Sequence, residues 1–364
     1  MADLFDYLHW RGDLPMDRVP PNPVDTLILS ELSYIFYDSL VDAGFQNPLP
    51  LRDASAGFLA LPDWEERVRV KKDRELIAAC AKTERFGGLG LVFYQNEFLP
   101  EEESQFAAVT WLLPGGDAVI TYRGTDLTLT GWKEDFNMSF QDSVPAQEKA
   151  LRYLEAFARV HEKGIYLAGH SKGGNLAVYA AARCQPELQA RLKAVHNHDG
   201  PGFRGTMLSD PGYRAIAELA RTFLPQSSVV GMLLEHEEPF TVIKSRQVSL
   251  LQHDPYSWEV LGPDFVPQSN VDEGTRFLND TVRIWLAGRS LQERNEFVDA
   301  VFELLTLGEI DDLRDVILPR NVLRYLRTLS TDEELRGIIA REFTELFKTA
   351  GELRRKKDVL SLPE

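Results

Sequence analysis

Gly169, Ser171 and Gly173, in the stretch IYLAGHSKGGNLAVYAA, satisfy the spacing G-x-S-x-G. Three common residue types recur by chance, so the match carries weight only through its setting. An apolar strand runs into it and a small-residue helix leaves it. A sharp turn between the two lifts a serine hydroxyl out of the fold, where a base and a substrate carbonyl can reach it. A helix starting just after Ser171 also aims backbone N–H groups at the atom on which an oxyanion would develop, with the Lys172 amide as the expected donor. The Lys172 side chain is expected along the surface or against a carboxylate, not as the base. The competing reading is a tight strand-to-helix connection in which Ser171 merely caps the helix.

The elements that would hold this motif alternate along the chain. Before about residue 85, VDTLILSELSYIFYDSLVDAG and KKDRELIAACAKTERFGG have helical apolar spacing, the second closed by Gly87 and Gly88, and read as an N-terminal helical cap. Strands are expected at 90–98, 106–113 and 118–122, with a Pro114-Gly115-Gly116 turn between the last two. Beyond them a helix at 146–161, a strand at 165–168, a helix at 175–183, a strand at 192–197, a helix at 213–222, and strands at 228–234 and 240–245 are expected. Such alternation writes an α/β fold, a mainly parallel sheet flanked by helices. After Val271 the strands stop. Helical stripes follow through Phe277 and Trp285, Phe297 and Leu304, and Leu335 and Phe347, the second opened by a Ser290/Glu293 capping box. The expected division is 1–270, with 1–85 as its helical segment, and a C-terminal helical appendage at 271–364.

Composition excludes several function classes. The chain has 364 residues, 44% hydrophobic and 26% charged, enough for a large core and inconsistent with dominant disorder. Lys plus Arg number 40 and Asp plus Glu 56, and the resulting charge of −16 repels nucleic-acid phosphates, so no nucleic-acid partner is expected. Cys80 and Cys184 form no CxxC pair, which points away from a cysteine zinc site or a disulfide framework and toward a reducing, cytoplasmic setting. Asp3, Asp6 and Asp13 stand where a secretory signal needs a basic start and an apolar run. No window approaches the roughly 18 apolar residues of a membrane span. Stable membrane insertion is therefore not expected, which leaves reversible docking on a membrane surface open.

The stretches AVITYRGTD, GWKEDFNMSF, LAGHSKGGNLA, HNHDGPGF, VVGMLLEH and QHDPYSW, in this order, resemble a bacterial protein family distantly similar to class 3 lipases of the α/β-hydrolase fold. The resemblance covers nearly the whole chain, from the YLHWRGDLP opening to the helical tail. The lipase-like part runs over 119–253. It implies the α/β-hydrolase fold more directly than it implies a substrate. By this resemblance Ser171 matches the nucleophile, and Thr125 of Tyr-Arg-Gly-Thr-Asp matches a position that helps form the oxyanion hole. Arg123-Gly124-Thr125 directly follows a central strand, the end of a parallel sheet where sites assemble, and Gly124 permits close backbone approach. Arg123 or Asp126 would otherwise pin that loop by a salt bridge.

In this fold the order along the chain is serine, acid, histidine, with the histidine after the last strand. Of seven histidines, His253 in Gln-His-Asp-Pro fits best. His236 lies too close to the preceding strand, His170 is expected to point to the other side of the turn, and His9 and His161 have no supporting context. For the acid, Glu235 ends the expected strand 228–234, where class 3 lipases put an aspartate. Asp199, one strand earlier, is the alternative, with Glu237 and Glu238 behind. Asp254 reads as a turn residue before Pro255. His196, His198 and Asp199 invite a metal reading, but Asp199 follows His198 directly and no further ligand cluster completes a site. No metal or organic cofactor is expected. Trp132 and Phe136 line an acyl pocket or bury in a core, and 203–225 forms a lid or a covering helix.

The expectation that follows is a serine hydrolase acting on a lipid or other small-molecule acyl ester, with Ser171, His253 and Glu235 (alternatively Asp199) as triad and the backbone near Thr125 and Lys172 as oxyanion hole. Its rivals are a hydrolase-fold binding or scaffold protein without turnover, and an acyltransferase using the same serine.

Overall fold

The computed structural model describes residues 2–126, 128–308, 310 and 312–360. They divide into two units, residues 1–126 with 145–271, and residues 127–144 with 272–364.

Strands covered on both faces are apolar without alternation, as in Ala118–Tyr122, where all five residues are buried. The first unit is built on eight strands: Leu49–Pro50 (β1), Gly90–Leu99 (β2), Ser104–Leu112 (β3), Ala118–Tyr122 (β4), Ile165–His170 (β5), Leu192–His198 (β6), Ala220–Pro225 (β7) and Phe240–Ile243 (β8). They lie in chain order across one sheet. β1 to β4 pair antiparallel and β4 to β8 pair parallel. This is an α/β fold with a mainly parallel sheet, as the alternation of elements predicts.

Apolar cores fill both faces. On one, Tyr122, Leu154, Leu176, Ala177 and Val195 join the sheet to the helices Pro145–Ala158 and Lys172–Arg183. On the other, Leu27, Ile28, Phe58, Ile77, Trp111 and Trp258 pack together. The N-terminal segment is therefore more than a cap. Its helix Pro23–Leu32 is buried at every position, and buried Asp25 on it pairs with Arg85 Nε at 2.7 Å and accepts from the Tyr7 hydroxyl at 2.8 Å.

One stretch departs from its sequence expectation. The helix expected over 213–222 ends at Ile216, and the chain from Ala220 to Pro225 is β7. The apolar run expected as a strand over 228–234 is a series of turns. Apolar composition marks burial but not conformation, and the parallel partner of β7 is already supplied by β8. The run closes its own turns instead, with Leu233 N–H donating to Val230 O at 3.0 Å.

The helical unit contains Leu129–Asn137, Glu273–Ala287, Leu291–Leu305, Pro319–Thr331 and Glu333–Leu360. Its core gathers Leu129, Phe140, Val298, Phe302 and Tyr325, and Trp132 packs against it. Phe136 meets Phe302 edge-on at 5.8 Å. The stretch 127–144, read by chain order as part of the first unit, thus supplies core to the second. The Ser290/Glu293 capping box is formed. No helix among the described residues is long and apolar enough to cross a membrane.

Candidate active site

Ser171 joins β5 to the helix Lys172–Arg183 with φ 58° and ψ −135°, a backbone region that a non-glycine residue occupies only under constraint. The flanking glycines leave room for that turn. A Cβ on Gly169 would fall 2.0 Å from the Gly173 carbonyl carbon, and one on Gly173 would fall 2.0 Å from Tyr122 O. Among the described residues no hydrogen bond holds the Ser171 hydroxyl, while its N–H donates to His198 O at 2.9 Å.

That backbone bond extends the parallel pairing of β5 with β6, where His170 stands opposite His198. Ser171 and Asp199 consequently leave adjacent strands side by side, both with φ 58°. Asp199 is fully buried. Its Oδ2 lies 2.6 Å from His253 Nδ1, and its Oδ1 accepts from the Ser228 hydroxyl. Ser228 belongs to the run of turns at 228–234, so that segment meets the Asp199 carboxylate with a hydroxyl.

Glu235, the acid expected first, is exposed. Its backbone bridges Phe203, with Phe203 N–H donating to Glu235 O at 2.8 Å, and its carboxylate is not the partner of His253. The expectation rested on a strand that does not form. Asp199, the alternative, holds the imidazole because β6 lies next to β5. Buried Glu238 is taken by another histidine, with its Oε1 2.8 Å from His236 Nδ1. Asp254 caps the next turn, accepting from Tyr256 N–H at 3.3 Å.

His253 ends a short 3-10 turn, Ser249–His253, anchored by buried Gln252. The Gln252 side chain accepts from Ser227 N–H and donates to Gln247 O, both at 2.8 Å, and the backbone carbonyl of Gln252 accepts from Trp258 Nε1 at 2.8 Å. The imidazole remains 27% exposed.

β4 pairs with β5 so that Tyr122 stands opposite Gly169, which brings the loop 123–125 to the serine. A Cβ on Gly124 would lie 3.0 Å from Ser171 Cβ. Thr125 is half-buried there. Lys172 opens its helix, so its amide sits at the helix N-terminus beside the serine, but its side chain does not lie along the surface. It is buried, with Nζ donating to Gln105 O at 3.0 Å. The Gln105 side chain also accepts from Asp126 N–H at 3.3 Å, a double role that its position in β3 does not announce in sequence. Among the described residues Arg123 forms no salt bridge. Its guanidinium lies over the Phe36 ring at 4.7 Å and donates to Asn96 Oδ1 at 2.9 Å.

His196 and His198 both meet the hydroxyl of Thr26, at 2.8 and 3.1 Å. Among the described residues no group of three or more His, Cys, Asp or Glu side chains is arranged to hold a metal ion. Burial pushes His196 down to about 3 and holds His198 and His170 well below the ordinary imidazole range. In the unfolded chain these rings protonate as the pH falls through about 6.5, whereas in the folded protein they resist, so acid favours unfolding from there downward. Each ring weakens the fold by about 1.4 kcal/mol per pH unit in that window. The midpoint of thermal melting is expected to fall between about pH 7 and pH 5; a flat or rising profile would show that these rings are not held neutral.

An eight-stranded, mainly parallel sheet flanked by helices, with a constrained serine between β5 and the helix that follows it, is the architecture of an α/β-hydrolase-type chain. A family model described as Mbeg1-like matches residues 80–303, more than half of the sequence. The chain belongs to the Mbeg1-like family. Among solved structures it is similar to the M37 lipase, at 14% identity and a TM-score of 0.38 over 89% of this chain and 96% of that one. It is also similar to the Rhizomucor miehei lipase in its propeptide complex, at 12% identity and a TM-score of 0.34 over 49% and 70% of the two chains. No curated protein matches the chain.

Proposed function

We propose that this protein is a serine hydrolase that cleaves a carboxylic ester of a lipid or another acyl compound. The observation that carries the proposal is the buried Asp199 carboxylate 2.6 Å from His253 Nδ1, beside a serine held in a strained turn. With Nδ1–H bound to a carboxylate, the Nε2 lone pair is left to accept a proton. Ser171 attacks the carbonyl, and His253 takes the serine proton and passes it to the leaving alcohol. Asp199 orients the ring and stabilises the imidazolium, while backbone N–H groups near Thr125 and Lys172 hold the oxyanion. Water then attacks the acyl-enzyme, with His253 as base, releasing the carboxylic acid and restoring Ser171. The cycle draws on no metal or organic cofactor.

The test is labelling of the full chain by a fluorophosphonate, followed by mapping of the labelled residue, together with hydrolysis of a panel of acyl esters. Label on Ser171 and release of free acid support the proposal. A folded protein that takes no label, or takes it elsewhere, overturns it in favour of a binding or scaffold role.

The lipid part of the proposal rests on the loop that ends at His253. Val248, Leu250 and Leu251 are 70%, 62% and 63% exposed, and no charged residue stands between Gln247 and Gln252. An apolar, uncharged edge beside the base suits an acyl chain. Replacing all three by serine is expected to lower kcat/KM about tenfold or more for a long-chain ester, at about 1.4 kcal/mol or more of lost burial. Turnover of an acetyl ester should be unchanged. Equal loss on both esters would mean that the loop shapes the triad and not the acyl site.

A further inference from the structure

The sequence places His170 next to the nucleophile and offers no use for it. In the fold it is fully enclosed and turned toward the loop of His253 rather than away from it. Its Nε2 lies 2.9 Å from the backbone carbonyl of His253, and the two rings pack with centroids 4.6 Å apart, tilted by 34°. On the other side, His170 Nδ1 is 3.1 Å from the Tyr34 hydroxyl and 3.4 Å from Glu31 Oε1.

A carbonyl oxygen only accepts, so a hydrogen bond there requires the proton on Nε2. Nδ1 is then an acceptor, and the Tyr34 hydroxyl donates to it. Both supporting residues come from the N-terminal segment, and one cation holds both. Arg69 donates to Glu31 Oε2 at 2.6 Å and lies over the Tyr34 ring at 4.6 Å. Burial, then the neighbouring His253, keeps His170 neutral, which avoids placing a second cation against the ring that must become imidazolium.

We propose that His170 is a positioning residue: as the Nε2–H tautomer, set by Tyr34, it holds the carbonyl of His253 and thereby the imidazole between Asp199 and Ser171. This deepens the hydrolase proposal and rests on it for its effect on rate, although the tautomer and the position of the ring are testable without turnover.

Long-range 1H–15N spectra of the 15N-histidine-labelled full chain give the first readout. His170 is expected as a neutral Nε2–H ring between about pH 6 and pH 8. A Nδ1–H ring or an imidazolium there would overturn the proposal. The second readout is the rate of fluorophosphonate labelling and of acetyl-ester turnover. His170→Leu keeps the bulk but cannot donate, and is expected to lose roughly tenfold to a hundredfold in labelling rate and kcat with little change in KM. The amide N–H of His170→Gln can reach the same carbonyl and is expected to recover most of that loss. Leu labelling at the wild-type rate, or Gln as slow as Leu, overturns the role. Tyr34→Phe is the milder variant should Leu fail to fold; it is expected to mix the His170 tautomers and broaden the His253 ring signals, and unchanged spectra would count against the proposal. A wild type that takes no label while His170 shows the expected tautomer would defeat the hydrolase proposal alone.

Discussion

Ser171→Ala is expected to abolish fluorophosphonate labelling and to lower kcat on any ester substrate by roughly 10⁵ to 10⁶-fold. The loss is that large because the alcohol is the only group that forms the covalent bond, and the remaining machinery supplies just binding and oxyanion contacts. The fold should hardly notice. Among the described residues the Ser171 hydroxyl holds no hydrogen bond, and the turn with φ 58° depends on the close backbone approach that the glycines at 169 and 173 leave room for, not on the serine side chain. Melting is expected to stay within about 0.5 kcal/mol of wild type. Adding His253→Ala to Ser171→Ala should cost almost nothing further, since residues acting as a unit are not additive. A variant that retains labelling, or a double variant that loses as much again, would mean that the chemistry lies elsewhere.

The second large effect separates the two acids. Asp199→Asn is expected to lower kcat by about 10⁴-fold, whereas Glu235→Gln should leave it within a factor of two. Asparagine keeps the shape of the side chain and its acceptor for Ser228, but an amide facing Nδ1 removes the charge that stabilises the imidazolium and lets the ring adopt the wrong tautomer. Glu235 is exposed, tied by its backbone to Phe203, and no part of the proposed proton path uses its carboxylate. Full activity in Asp199→Asn, or a collapse in Glu235→Gln, would reverse the assignment and remove the observation on which the proposed function stands.

These variants also mark the border between what is local and what is not. The strand, the turn and the helix around Ser171 were legible because all three are written within about twenty residues, and the glycines that the turn demands sit at fixed offsets from the serine. The strands from β2 to β6 were legible for a similar reason, since each is an apolar run bounded by turn residues, and the capping box at Ser290 and Glu293 is a four-residue signal. That His253 comes after β8 was legible from the order of the elements.

By itself, then, the sequence determined the α/β class, the elbow that bears Ser171 and the histidine that follows β8. Tertiary structure alone decided that VVGMLL turns instead of extending, that Asp199 and not Glu235 reaches His253, that 127–144 serves the helical unit, and that His170 faces the base. The physical reason is one of range. Residue periodicity reports which face of a segment is apolar, over a few turns or pleats. The choice of a hydrogen-bond partner 54 residues away, as for His253 and Asp199, depends on which strands become neighbours, and that is settled only when the sheet assembles.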